Sequence, residues 1–272
     1  MNDTVIKTIQ LTKKYGNQTV VNKANLHVKQ GRIYGLLGRN GAGKTTLLEC
    51  IEGFRSYSSG TIKISGTIGV QLQASSLPPY IKVGEAISLF AKAKHVKIDP
   101  FLLNDLGIHD LQKKLYSKLS AGQKRRLHLA LALLDKPDIL FLDEPTTELD
   151  VEGRIALHNE IQRLNKQGTT VILSSHDMAE VEALCNRIAI LNNGIISFLG
   201  TTDELASKVG KSYTIKIISK LGEEEYSAVS VADSLLRILE EYKQKHIPIY
   251  DIKVHRGTLE QHFINLSKEA GK

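Results

Sequence analysis

Apolar positions along this chain follow two kinds of pattern, short unbroken runs and wider spacings that repeat at helical intervals. Ile33 to Leu37 (IYGLL), Ile139 to Leu142 (ILFL) and Thr169 to Ser174 (TTVILS) are runs of the first kind. A strand buried on both faces of a parallel sheet reads this way, because neither face has to be polar. Ahead of them, Ile6 to Leu11, Val20 to Val21 and Leu26 to Val28 are β-prone pieces broken by YGNQ, NKAN and KQG, which predicts a small antiparallel sheet. Helical spacing marks TTLLECIEGF, Val83 to Lys94, Phe101 to Leu106 with Leu111 to Leu115, and KRRLHLALALL. Farther on, Asn193-Gly194 predicts a hairpin turn. Tyr213 to Ile218 reads as a strand, Val231 to Tyr242 as an amphipathic helix, Ile247 to Val254 as a strand, and TLEQHFINL as a closing helix. The expected class is α/β: a mostly parallel sheet, an N-terminal antiparallel β part, an inserted helical segment and a small C-terminal α+β appendage.

Composition removes several alternatives. With 272 residues, 42% hydrophobic and 24% charged, the chain has the profile of an ordinary globular protein rather than a disordered or fibrous one. It is long enough for one large domain with an appendage. No run approaches 18 apolar residues, and MNDTVIKTIQ lacks a basic region followed by an apolar core, so a cytoplasmic chain is expected. The net charge of +7 would permit nucleic-acid or membrane-surface contact, but the lysines are scattered, and no nucleic-acid partner is expected. Cys50 and Cys185 lie far apart without metal-ligand spacing and are expected to be buried, small apolar side chains.

Chemistry enters directly after the run at Ile33 to Leu37. Gly38-Arg39-Asn40-Gly41-Ala42-Gly43-Lys44-Thr45 matches the phosphate-loop pattern G-x-x-x-x-G-K-[ST], and Thr46 continues it into a helix. Glycines let successive backbone N–H groups curl around phosphate oxygens, Lys44 supplies a cation, Thr45 offers a hydroxyl to Mg2+, and the helix adds its positive end. This makes the core a P-loop nucleotide-binding fold.

Two further strand ends point to the same place. The run ILFL ends in Asp143-Glu144-Pro145, where Asp143 can hold the Mg2+ shell and Glu144 can polarise an attacking water. TTVILS delivers Ser175-His176-Asp177, and ligands of open α/β sheets gather at strand carboxyl ends, so His176 is placed to reach a terminal phosphate or hold water. A fourth segment, Leu119-Ser120-Ala121-Gly122-Gln123, opens a helix with small residues whose free N–H groups suit an anion.

Taken in order, GRNGAGKT, LSAGQ, ILFLDE and SSH resemble the ATP-binding subunit of an ATP-binding-cassette (ABC) transporter, over about residues 4 to 205 and more weakly beyond. LSAGQ is close to the family's LSGGQ signature, with Ala121 for its first glycine. The resemblance implies an ATPase using ATP and Mg2+ and paired with a second ATPase subunit as a homodimer. In that pairing Ser120 and the Gly122 backbone reach the γ-phosphate of the partner's ATP. It implies that Tyr15 stacks on adenine and that Gln73 joins the Mg2+ site to the helical subdomain; Gln71 is a rival that would share its strand face. Thr146 to Asp150 (TTELD) resembles the loop crossing the dimer interface, which usually carries a small residue where this chain has Glu148.

The same resemblance divides the chain into an ATPase domain at 1–205, with a helical subdomain at about 74–128, and an appendage at 206–272. That appendage ends in a TLExxF-like segment similar to those of ATPases serving ABC-2-type exporters. A separately encoded membrane permease follows as the partner, the helical subdomain as its docking surface, and the cytoplasmic face of the membrane as the location. Soluble ABC ATPases acting on ribosomes or DNA fit less well: they usually carry two cassettes or long coiled-coil insertions, and this chain has one cassette without such an insertion. A regulatory subunit that binds without turnover would sit poorly with intact Lys44, Asp143, Glu144 and His176.

Overall fold

The structure is a computed structural model that describes residues 3–71, 76–147, 149–208 and 213–256. The chain divides into two compact units, Met1–Leu199 and Gly200–Lys272. In the first, β1 (Thr4–Tyr15) and β2 (Gln18–Lys29) lead to β3 (Ile33–Leu37) and then to α1 (Lys44–Glu52), after which β4 (Ser59–Ile64) returns to β1. β2-β1-β4 is an antiparallel sheet. NKAN does not interrupt it: β2 runs through these residues, and Lys23, at φ 49°, sits beside shifts in the β1–β2 register. A bulge absorbs the polar residues that look like a break in the sequence.

The second sheet carries the chemistry. β5 (Ile68–Gln71), β6 (Ile139–Asp143), β7 (Thr170–Ser175), β8 (Arg187–Asn192) and β9 (Ile195–Gly200) join β3 in the order β5-β6-β7-β3-β8-β9. Every residue of β3, β6 and β7 is buried, as expected of parallel strands covered on both faces. Pairing from β5 to β8 is parallel. Between β8 and β9, Asn193 and Gly194 both adopt positive φ, 47° and 78°, the conformation a two-residue hairpin turn requires. One buried cluster containing Ile6, Leu11, Val21, Leu47, Leu48 and Phe141 packs α1 and the antiparallel sheet against this second sheet. Each such side chain contributes about 1.5–3 kcal/mol on full burial.

The inserted segment holds α2 (Val83–Ala93), α3 (Pro100–Asp105) and the start of α4 (Ala121–Leu133). Leu111 to Leu115 does not form the expected helical turn. Only a 3-10 turn at His109–Leu111 precedes it, and the chain then runs back along α2, where Val83 and Gly84 N–H groups donate to the Lys114 and Gln112 carbonyls. α5 (Val151–Lys166) and α6 (Met178–Leu184) complete the unit.

The other unit contains α7 (Thr202–Lys208), β10 (Tyr213–Ser219), β11 (Gly222–Ala228), α8 (Val231–Gln244) and β12 (Ile249–Arg256). Its sheet has the order β11-β10-β12 and shares a small core of Ile215, Ile217, Ala228, Ile238 and Tyr242 with α8. β11 is not apparent from the sequence because GEEEYSA is a polar edge strand, two of whose glutamates, Glu223 and Glu225, pair with Lys216. TLEQHFINL lies outside the described residues. Cys50 is buried as expected, whereas Cys185 is only half-buried as a residue, and burial of its thiol pushes that pKa up.

Candidate active site

β3 ends in a loop whose shape depends on glycine. Gly43 has φ 100°, and a Cβ there would lie 2.6 Å from the Val20 carbonyl oxygen, so no other residue fits without moving β2. The Leu47 N–H donates to the Gly43 carbonyl as α1 begins. Arg39, Asn40, Gly41 and Thr45 are exposed, while Gly38, Ala42 and Lys44 are buried and Thr46 is half-buried. The loop therefore has a seated underside and an open face toward solvent.

Lys44 folds back across that loop. Its Nζ donates to the Gly38 carbonyl at 2.8 Å and the Arg39 carbonyl at 3.4 Å, and stands 3.7 Å from Glu144 Oε1. Burial lowers its pKa, and the nearby Glu144 and Asp143 carboxylates oppose that shift. A buried ammonium in contact with carbonyls can exchange them for phosphate oxygens at little reorganisation cost.

The ends of β6 and β7 supply the acids. The Thr45 hydroxyl donates to Asp143 Oδ2 at 3.0 Å, and the Ser174 hydroxyl donates to Asp143 Oδ1. The Glu144 N–H donates to the same Ser174 oxygen at 3.0 Å. Glu144 itself has φ 45°, left-handed and strained for a residue with a Cβ. Its Oε1 lies 3.4 Å from His176 Nδ1, and its Oε2 accepts from the Thr147 hydroxyl at 3.4 Å. His176 follows β7 directly, with its side chain 55% exposed, and Asp177 caps α6 behind it. Lys44, Thr45, Asp143, Glu144 and His176, from two strand ends and one helix start, thus meet in one place. An exposed hydroxyl beside a carboxylate is an oxygen-only donor set of the kind Mg2+ uses together with substrate phosphates and water, so these residues fit that ion.

Other expected residues lie apart from this centre. Tyr15 ends β1 as an exposed residue, with Lys13 Nζ 4.8 Å and the Arg55 guanidinium 5.6 Å from its ring centroid. Gln73 and Glu148 lie outside the described residues. Gln71 is buried at the end of β5, and among the described residues neither side-chain polar atom has a hydrogen-bond partner. With it, Glu52 of α1 lines a cleft that also includes Phe54, Leu77, Phe90 and His128. Burial, with Asp143 and Glu49 nearby, pushes the Glu52 carboxyl up to about 8. Glu52 had no signal in the sequence, where it reads as one more polar residue of a helix.

The LSAGQ segment forms a separate surface. Ser120 caps α4: its hydroxyl accepts from the Gln123 N–H at 3.3 Å, and the Gln123 side chain accepts from the Ser120 N–H at 3.2 Å. Leu119 is buried and anchors the turn, whereas Ser120 and Ala121 are exposed. Gly122 faces Leu149, and Asp150 caps α5 by accepting from the Gly153 N–H at 2.8 Å. Both helix starts line one cleft. Sequence reasoning missed Arg125 on α4, which donates from Nη2 to the Glu144 carbonyl at 2.6 Å and from Nε to the Pro145 carbonyl at 2.9 Å. Its position in KRRL looks like any solvated cation.

Comparison with known proteins agrees with this geometry. The ABC transporter family matches residues 21–147. The linearmycin resistance ATP-binding protein LnrL of Bacillus subtilis is 29% identical, covering 97% of this chain and 98% of its own length. The bacitracin transport ATP-binding protein BcrA of Enterococcus faecalis is 33% identical over 86% of this chain and 83% of its own. A solved ATP-binding subunit of an ABC transporter superimposes with a TM-score of 0.70 at 25% identity, covering 75% of this chain and 93% of that one. With the phosphate loop, the acidic strand ends and these relatives together, the chain belongs to the ABC transporter family as an ATP-binding subunit with ATPase activity.

Proposed function

We propose that this subunit powers export of antibiotic-like molecules through a separately encoded membrane permease, working as an ATP-clamped homodimer at the cytoplasmic face. The observation that carries the hydrolytic reading is the meeting of Glu144 Oε1 with both Lys44 Nζ, at 3.7 Å, and His176 Nδ1, at 3.4 Å. Backbone N–H groups of residues 38–45 and the Lys44 ammonium receive the phosphates, and Tyr15 stacks on adenine. Mg2+ held by Thr45 and Asp143, with Gln73 as a further donor, would offset phosphate charge when bound. Glu144 accepts a proton from water as it attacks the terminal phosphorus and the bond to the ADP oxygen breaks; His176 orients that water or the phosphate.

Ser120 and the Gly122 backbone of LSAGQ are the groups offered to the second subunit's ATP, and Asp150 and Glu148 lie in the loop that crosses between subunits. The class of cargo rests on LnrL and BcrA, whose names state linearmycin resistance and bacitracin transport. Among the described residues no helix is long and apolar enough to cross a membrane.

Affinity capture of the tagged chain from detergent-solubilised native membranes tests the partner. Stoichiometric recovery of a polytopic membrane protein is the expected result; recovery with ribosomes or nucleic acid alone overturns it.

A further inference from the structure

The Glu144 peptide is held from both sides. Its N–H donates to Ser174 of β7, and its carbonyl, with that of Pro145, accepts from the single guanidinium of Arg125. Glu144 also has a left-handed backbone although it carries a Cβ, and that conformation directs its carboxylate toward Lys44 and His176. A strained turn persists only where neighbours over-determine it. Here the planar fork of one arginine spans two successive carbonyls, which a lysine ammonium cannot do in the same way.

The arginine does not come from the Glu144 loop. It is the fifth residue of α4, the helix that Ser120 begins, and Ser120 and Gln123 close that helix start on themselves. Arg125 is only two residues beyond Gln123. A small rotation or translation of α4 therefore moves the guanidinium and, through two short hydrogen bonds, the peptide that aims Glu144.

We infer that Arg125 is a positioning residue through which the LSAGQ helix sets the aim of the Glu144 carboxylate. Engagement of that segment by ATP bound to a second subunit is thereby transmitted to the hydrolytic site of its own chain. The inference rests on the reading of Glu144 as the base and of LSAGQ as the trans phosphate contact, and adds the link between them. The described hydrogen bonds of Arg125 go to the Glu144 and Pro145 carbonyls, so its loss is expected to lower turnover rather than nucleotide affinity.

The test measures MgATP affinity, kcat and KM for the full chain with Arg125→Ala and Arg125→Lys, alone and with Glu144→Gln. Arg125→Ala is expected to lower kcat by about tenfold to a hundredfold, the cost of a misaimed catalytic group, with affinity within about twofold of the parent. Arg125→Lys is expected to recover part of that loss; it also decides the matter should the alanine variant not fold. In the Glu144→Gln background neither substitution should lower turnover further, and the ATP-trapped dimer should still form, because Arg125 acts through the group already removed. Parental kcat in both single variants overturns the inference, as does failure of the double variant to dimerise, which would make Arg125 part of the intersubunit contact. If Glu144→Gln alone hydrolyses ATP at the parental rate, the assigned base is wrong and the inference falls with it. A large loss with Glu144→Gln but none with the Arg125 variants removes the link alone.

Discussion

The phosphate loop and the LSAGQ segment both present helix starts to an anion, yet they are built differently. Around the loop every functional group is bound into its own chain: Lys44 to two carbonyls, Thr45 to Asp143, Asp143 to Ser174, Glu144 to His176. At LSAGQ the Ser120 hydroxyl and the Gln123 side chain of an exposed turn each accept from the other residue's N–H in a capping box. The first is a site that one chain completes; the second has its donors arranged with nothing of its own to hold. Binding should therefore belong to the monomer and hydrolysis to the pair.

The largest effect that can break this division is expected at Glu144. Glu144→Gln should reduce phosphate release by a factor of about 10² to 10⁴, the usual contribution of a general base, while leaving an ATP-dependent dimer visible by size-exclusion chromatography. A parental rate would mean another group activates water. Next comes Lys44→Ala, expected to weaken ATP affinity by about 10- to 100-fold, in line with loss of a charge-assisted contact worth about 1.5–3 kcal/mol. Titration of the monomer with ATP measures it, and unchanged affinity would remove the loop from the binding site.

The signature side sharpens the contrast. Ser120→Ala should leave monomer affinity for ATP untouched, abolish the ATP-driven dimer, and cost about 1 kcal/mol of stability through the lost cap. If monomer affinity falls instead, the two surfaces are one site. A smaller change is expected from Tyr15→Ala, about 1–3 kcal/mol in nucleotide affinity if the ring stacks on the base, and the loss should be the same for ADP as for ATP.

The smallest effect concerns pH. Burial, with Arg125 and Lys124 nearby, lowers the His128 pKa to about 4. The unfolded chain then takes up a proton near pH 6.5 that the folded chain refuses. The His128 contribution to stability is thus fully present above pH 6.5 and is lost as pH falls from 6.5 toward 4. Denaturant melts across that window should show a shallower acid loss for His128→Gln than for the parent.

Much of the architecture could be read from the chain because the buried strands of an α/β sheet advertise themselves. IYGLL, ILFL and TTVILS are apolar on both faces, and the strands formed there differ from the apolar runs by no more than one residue at either end. What escaped reading was structure whose reason lies elsewhere in the fold. α5 shows apolar spacing at Leu157, Ile161 and Leu164 and a cap at Asp150, signals present but diluted by polar neighbours. β11 is charged because it is an edge. NKAN stays in its strand because a bulge accommodates it. At the site, motif residues could be named from spacing, but Arg125 and Glu52 gain their significance only from what α4 and α1 place beside them.

The Asn193-Gly194 turn offers a final consequence. The Gly194 N–H donates to the Ala42 carbonyl at 3.0 Å, and the Gly194 carbonyl accepts from the Asn22 N–H at 2.8 Å, so the hairpin, β2 and the phosphate loop are sewn together by backbone alone. A Cβ at Gly194 would come within 2.3 Å of the Val20 carbonyl oxygen. The eight-residue GRNGAGKT motif is therefore not a portable cassette. Grafted onto another strand-turn-helix without the β2 edge and this distant hairpin, it would keep its letters and lose its curvature, and an engineer moving ATP binding between scaffolds would have to carry all three pieces.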